Sequence, residues 1–154
     1  MPTILVVEDS GLSRKMVVKV LEGQGFEIIQ ARNGKEALET YLERGSEINC
    51  IVSDNLMPEM TGVELLAKVR EQNKEIPVIM ASADIQKTTR SECDRLGITA
   101  FLNKPVQPEE LMAAVKTSPF GNGCELKKNG SLLFPDYKSL DIYRTATISL
   151  ISTY

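Results

Sequence analysis

The feature that most constrains this chain is an alternation. Short, nearly continuous apolar runs are separated by longer stretches whose apolar residues recur at helical spacing. The runs are residues 3–8, Phe26 to Ala31, Cys50 to Ser53, Pro77 to Ala81 and Thr99 to Asn103. A strand with one wet face alternates polar and apolar residues, so a run that is apolar throughout is a strand covered on both faces. Strands of that kind, each followed by an amphipathic helix, imply an α/β fold: a doubly wound five-stranded parallel sheet with right-handed crossovers. The common open arrangement of five such units has strand order 2-1-3-4-5, with its site where the order reverses between strands 1 and 3.

The intervening stretches carry helix signals. Residues 11–22 place Leu12, Met16, Val17, Val20 and Leu21 on one face, with Ser10 as N-cap and Gly23 and Gly25 at the end. Asn33-Gly34 turns the chain into a second helix with an Ala37, Leu38, Tyr41 and Leu42 stripe, stopped at Gly45. A third runs from about Thr61 to Glu71, with Thr61 and Glu64 spaced as a capping box. Residues 86–96 form the least apolar helix, ended by Gly97, and Pro108 opens the last, with Leu111, Met112 and Val115 inward.

Composition narrows the function. A net charge of -3 gives no basic excess for nucleic acid. No apolar run approaches a membrane span, and Met1-Pro2-Thr3 leads directly into a strand without the regions of a secretory leader, so a cytoplasmic protein is expected. Cys50, Cys93 and Cys124 form neither a disulfide framework nor a zinc pattern, and Cys50 reads as core. With no histidine, an imidazole base, ligand or phosphate carrier is excluded.

Chemistry gathers at the ends of the apolar runs. Glu8-Asp9 ends the first, Asp54 ends the third ahead of Met57-Pro58, and Lys104-Pro105 ends the fifth. In a parallel sheet these ends share one edge. Carboxylates and an ammonium collected there suit a divalent cation and a phosphoryl group. Taken alone, each residue has an ordinary reading. Asp54 is then a strand-end turn residue, Glu8-Asp9 the acidic start of a helix, and Lys104 a solvated charge. Ser82 then satisfies a backbone group, Phe101 is core, and Arg14 is an exposed helix charge. It is their meeting at one point that argues otherwise for the acids and Lys104.

Glu8-Asp9-Ser10, Arg14, Asp54 with Met57-Pro58 and Gly62, Ser82-Ala83, Phe101 and Lys104-Pro105, in this order and spacing, resemble the receiver domain of two-component response regulators, of the single-domain chemotaxis type. The resemblance covers roughly residues 3–117. It carries the flavodoxin-like (βα)5 fold and its strand order with it. It implies Asp54 as phosphoacceptor, with Lys104 and Ser82 assisting at the phosphoryl oxygens. It implies Mg²⁺ held by Glu8, Asp9, Asp54 and the Leu56 backbone carbonyl. Ser82 and Phe101 would form the switch acting on the surface of the fourth helix, fifth strand and fifth helix, and the bond before Pro105 would be cis. The implied partners are a sensor histidine kinase or histidine phosphotransfer protein and a downstream protein, with no nucleic acid and no membrane insertion. The implied catalysis is confined to the chain's own aspartyl phosphorylation and dephosphorylation.

Departures from the family pattern are specific. Glu8 replaces a commoner aspartate, and Phe101 lacks the hydroxyl of the commoner tyrosine. Leu56 and Asp84 occupy positions that tune acyl-phosphate lifetime, and leucine cannot orient an attacking water. Slow to intermediate self-dephosphorylation is therefore expected. Residues 1–117 read as the receiver and 118–154 as a tail that matches no output domain, holding five of the eight Phe and Tyr residues: Phe120, Phe134, Tyr137, Tyr143 and Tyr154. The main functional reading is a phosphoacceptor switch. Alternatives are a relay intermediate, a receiver cut from a larger regulator, and an Mg²⁺-dependent aspartyl-phosphate phosphohydrolase. The last normally needs an acid two residues after the nucleophile, where this chain has Leu56. The kinase, partner, stimulus and oligomeric state are not encoded in any motif.

Overall fold

A computed structural model describes residues 2–83 and 86–117. The readings made for Asp84, Cys124 and residues 118–154 lie outside the described residues. Chain order is β1 (Thr3–Val7), α1 (Gly11–Glu22), β2 (Glu27–Ala31), α2 (Gly34–Arg44), a short 3-10 turn (Gly45–Glu47), β3 (Cys50–Asp54), α3 (Gly62–Gln72), β4 (Val78–Ser82), α4 (Lys87–Arg95), β5 (Ala100–Asn103) and α5 (Pro108–Thr117). The five strands are all parallel, in the order β2-β1-β3-β4-β5.

The sheet explains the apolar runs. Successive side chains of a strand point to opposite faces. Ile4 and Val6 of β1 join Cys50, Val52, Ile79, Val18, Leu21, Leu111 and Met112 on the α1 and α5 side. Leu5 and Val7 join Ile51, Met80, Tyr41, Leu65, Leu66 and Val69 on the α2 and α3 side. Each fully buried Leu, Ile or Val contributes about 1.5–3 kcal/mol. Two cores on one sheet thus require inner strands without a polar face, as in β1, β3 and β4, while the edge strand β2 exposes Glu27 and Gln30.

The helix boundaries follow local chemistry. The Ser10 hydroxyl accepts the Ser13 N–H and the Asn33 side chain accepts the Glu36 N–H, so both residues are N-caps. Thr61 and Glu64 form the reciprocal capping box. Gly97 closes α4 at φ +74°, a left-handed conformation natural to glycine.

Two apolar faces differ from the sequence expectation. On α1 the sheet is met by Val18 and Leu21, with Val17 and Val20 alongside, while Leu12 and Met16 are exposed. On α2, Ala37 and Tyr41 are buried and Leu42 is exposed. The reason is angular. Leu12 and Met16 lie one turn apart on the side of α1 opposite Leu21, and a sheet covers only one side of a helix. Arg70 adds a staple not anticipated from sequence. Its guanidinium donates to the carbonyls of Leu96 (2.9 Å), Asn73 (3.1 Å), Ile76 (2.8 Å) and Gly97 (2.9 Å), joining α3 to the ends of neighbouring segments. Among the described residues no helix is long and apolar enough to cross a membrane.

Candidate functional site

Strand register assembles the site. Val7 of β1 lies opposite Ser53 of β3, so the next residues, Glu8 and Asp54, leave the sheet side by side. Asp54 lies opposite Ala81 of β4, one residue before Ser82, and Ser82 lies opposite Asn103 of β5, one residue before Lys104. The Lys104 N–H donates to the Ser82 carbonyl at 3.0 Å, which extends the ladder one step beyond the strand. The Lys104-Pro105 bond is cis.

The side chains then converge. Lys104 Nζ lies 2.6 Å from Glu8 Oε2 and 3.2 Å from Asp54 Oδ2. Glu8 and Asp54 are buried, and Asp9 is exposed at the rim. One carboxylate oxygen from each of Glu8, Asp9 and Asp54 falls within a group spanning no more than 4.8 Å. Three carboxylates facing one ammonium leave an excess of two negative charges when all are ionised. That excess, the hard oxygen donors and the half-open rim fit a small divalent cation that keeps part of its water shell.

Electrostatics in the buried pair are unequal. Burial pushes the Glu8 carboxyl above its ordinary range. The Lys104 hydrogen bond opposes this, while the neighbouring Asp54 charge reinforces it. For Lys104, burial works to lower the pKa, but the Glu8 hydrogen bond and the charges of Asp54 and Glu8 outweigh it and hold the ammonium above its ordinary value.

Asn55, not singled out from sequence, holds Asp54 in place. Its N–H donates to Asp54 Oδ1 at 2.8 Å, its side-chain oxygen accepts the Val63 N–H at 3.1 Å, and its carbonyl accepts the Gly62 N–H at 2.9 Å. The buried carboxylate is thereby tied to the start of α3. The available signal was a polar residue directly after an apolar run, but the helix it caps begins seven positions later. Gly62 is packed so closely that an added Cβ would lie 2.2 Å from the Asp54 carbonyl oxygen. Leu56 is 58% exposed beside the site.

Ser82 is fully buried at the end of β4. Phe101 is also buried, beside Met80 in register, with the Arg90 guanidinium 5.6 Å above its ring. Arg14, read from sequence as an exposed charge, is instead half-buried and donates to the Glu8 carbonyl at 2.8 Å. A groove of about 510 Å³ lined by Thr3, Glu22, Phe26 and Arg44 lies at the N-terminal ends of β1 and β2, the opposite edge of the sheet from Asp54. That groove is separate from the cluster of Glu8, Asp9, Asp54 and Lys104.

Comparison with known proteins agrees with the geometry. The response regulator receiver domain profile matches residues 4–116. The two-component response regulator ORR5 of Oryza sativa subsp. japonica is 40% identical over 114 residues, covering 71% of this chain and 83% of the relative. The transcriptional regulatory protein SrrA of Staphylococcus aureus is 37% identical over 113 residues, covering 73% of this chain but 46% of that regulator. Among solved structures, Vibrio cholerae chemotaxis protein CheY4 matches at 33% identity, TM-score 0.71, over 77% of this chain and 98% of its own. CheY in a CheX-CheY-BeF3-Mg complex from Borrelia burgdorferi matches at 29% identity, TM-score 0.72, over 75% and 87%.

Proposed function

The chain belongs to the response regulator receiver domain family, and on that premise we propose that it is a phosphoacceptor switch of a two-component phosphorelay, modified at Asp54. The observation that carries this reading is the meeting of Glu8, Asp9 and Asp54 with Lys104 at one sheet edge. Asp54 is the only one of the three carboxylates at the end of the central strand β3, and Asn55 orients it.

In the reaction, an Asp54 carboxylate oxygen attacks the phosphorus of a phosphohistidine donor. An O–P bond forms as the N–P bond breaks, and its electron pair stays on the imidazole. The Lys104 ammonium, already 3.2 Å from Asp54 Oδ2, neutralises charge on the transferring oxygens. The Ser82 hydroxyl at the adjacent strand end donates to the phosphoryl group. Glu8, Asp9, Asp54 and the Leu56 carbonyl would hold Mg²⁺, which when bound offsets the charge of carboxylates and phosphoryl together. A Mg²⁺ ion is named in the Borrelia burgdorferi complex, and the donor set here suits the same cation. Rearrangement of Ser82 and Phe101 then alters the α4-β5-α5 surface for a downstream protein. The histidine kinase or phosphotransfer protein supplies the phosphoryl group, and the chain's own catalysis is limited to gaining and losing it.

The test is phosphorylation by acetyl phosphate, read as intact-protein mass on the wild type and Asp54→Ala. One added phosphoryl group that requires both Mg²⁺ and Asp54 is expected. No addition to folded wild type, or equal addition to Asp54→Ala, overturns the assignment.

A further inference from the structure

Arg14 stands where helix electrostatics argue against a cation. It lies in the opening turns of α1, and side chains there lean back toward the positive end of the helix. The guanidinium nonetheless folds back, with Nη2 3.9 Å from where a Cβ on Gly11 would sit. It has two fixed partners. Nη1 donates to the Glu8 backbone carbonyl at 2.8 Å, and Nε donates to the Gln30 side-chain oxygen on β2 at 3.2 Å.

The consequence falls on Glu8. Its N–H donates to the Ala31 carbonyl at 3.1 Å, so Arg14 and β2 together hold both backbone polar groups of this residue. Glu8 lies just past the last β1–β3 register pair; its N–H continues the ladder to β2, and its carbonyl is held by Arg14. The Ser10 N–H then donates to both Glu8 Oε1 (3.2 Å) and Asp9 Oδ1 (3.0 Å), so the two carboxylates are set by the same short turn. A clamp on the Glu8 carbonyl therefore sets the direction in which both acids are presented.

We infer that Arg14 is a positioning residue for the cation site. It touches none of the three carboxylate ligands in a hydrogen bond; it fixes the backbone from which two of them project. The inference rests on the receiver reading of Glu8, Asp9 and Asp54 given above. It has a sign that charge alone does not share. Removing a positive group beside an acidic cluster strengthens cation binding if only Coulomb forces operate, because the repulsion of the incoming cation is lost. Loss of a positioning contact weakens it, and outer contacts of this kind typically cost about 10–100-fold in metal affinity.

The experiment is calorimetric titration of the 154-residue chain with MgCl₂ alone. Variants are Arg14→Ala, Arg14→Lys and Gln30→Ala, with thermal unfolding recorded for each without metal. Arg14→Ala is expected to bind Mg²⁺ about tenfold more weakly. Arg14→Lys, which retains one donor for the Glu8 carbonyl, is expected to recover part of the loss. Gln30→Ala, which removes only the second anchor and keeps the charge, is expected to weaken binding severalfold. Unchanged or tighter binding by folded Arg14→Ala overturns the inference and leaves the receiver reading intact. Should Arg14→Ala fail to fold, wild-type affinity in Gln30→Ala overturns it equally. Absence of Mg²⁺ binding by the wild type overturns the receiver reading, and this inference with it.

Discussion

Gly11, Gly34 and Gly62 are the first residues of α1, α2 and α3, so Gly→Ala at each is the same substitution at the same helical position. Their surroundings differ. A Cβ at Gly11 meets nothing nearer than Arg14 Nη2 at 3.9 Å. At Gly34 it meets the Met60 carbonyl oxygen at 2.6 Å and that residue's Cβ and Cγ at 2.9 Å. At Gly62 it meets the Asp54 carbonyl oxygen at 2.2 Å, Met80 Sδ at 2.7 Å and Asn55 Cα at 2.9 Å. Favourable carbon contacts begin near 3.5 Å, so relief at Gly62 requires moving α3 or β3 by roughly 1 Å. Two of its three neighbours are backbone atoms and cannot rotate away. Overpacking of a well-packed site typically costs about 1–3 kcal/mol and occasionally more. Gly62→Ala belongs at the upper end, about 3 kcal/mol, and Gly34→Ala near about 1–2 kcal/mol because Met60 sits in a loop. Gly11→Ala is expected to be neutral or to stabilise by up to about 1 kcal/mol through the unfolded chain. Urea unfolding with linear extrapolation resolves this order. A Gly62→Ala cost within about 0.5 kcal/mol of Gly11→Ala would refute the packing argument, since that is the scatter of substitutions that touch nothing.

Lys104→Met removes the ammonium that faces Glu8 and Asp54. Phosphorylation by acetyl phosphate should slow about a hundredfold, while Mg²⁺ titration should show tighter binding because the cation no longer competes with Lys104. The raised Glu8 pKa makes a pH prediction. The folded state holds the Glu8 proton more tightly than the unfolded chain, so this contribution to stability is full below the ordinary glutamate range. It is lost as pH rises through the elevated value. Metal-free unfolding measured across that window should show a decline that Glu8→Gln abolishes; an identical slope in the variant would contradict it. Leu56→Asn places an amide beside the acyl phosphate, where leucine is 58% exposed. Loss of the added mass over time should accelerate roughly tenfold, because the amide can orient an attacking water that leucine cannot. An unchanged rate counts against the assigned role of that position.

Much was readable in one dimension because it depends on neighbours in sequence. The apolar runs required strands covered on both faces, since a run without polar residues has no side to offer water. Ser10 and Thr61 marked helix starts because capping is satisfied within a few residues. Asp54, Glu8, Asp9 and Lys104 were recognisable as strand-end charges, and parallel strands bring such ends to one edge. What tertiary structure alone decided concerns groups whose partners are distant in sequence or whose exposure depends on a helix's rotation. Leu12, Met16 and Leu42 looked like core but face outward, because the angle at which a helix meets the sheet is set by all its neighbours at once. Arg14 looked like a solvated charge but clamps the Glu8 carbonyl and reaches Gln30 on another strand. Arg70 gathers carbonyls from as far as Gly97, and Asn55 ties Asp54 to the start of α3. A hydrogen bond forms only where donor and acceptor are brought within about 3 Å. The pattern of apolar residues specified which surfaces must be buried; only the packed chain determined which polar groups then met.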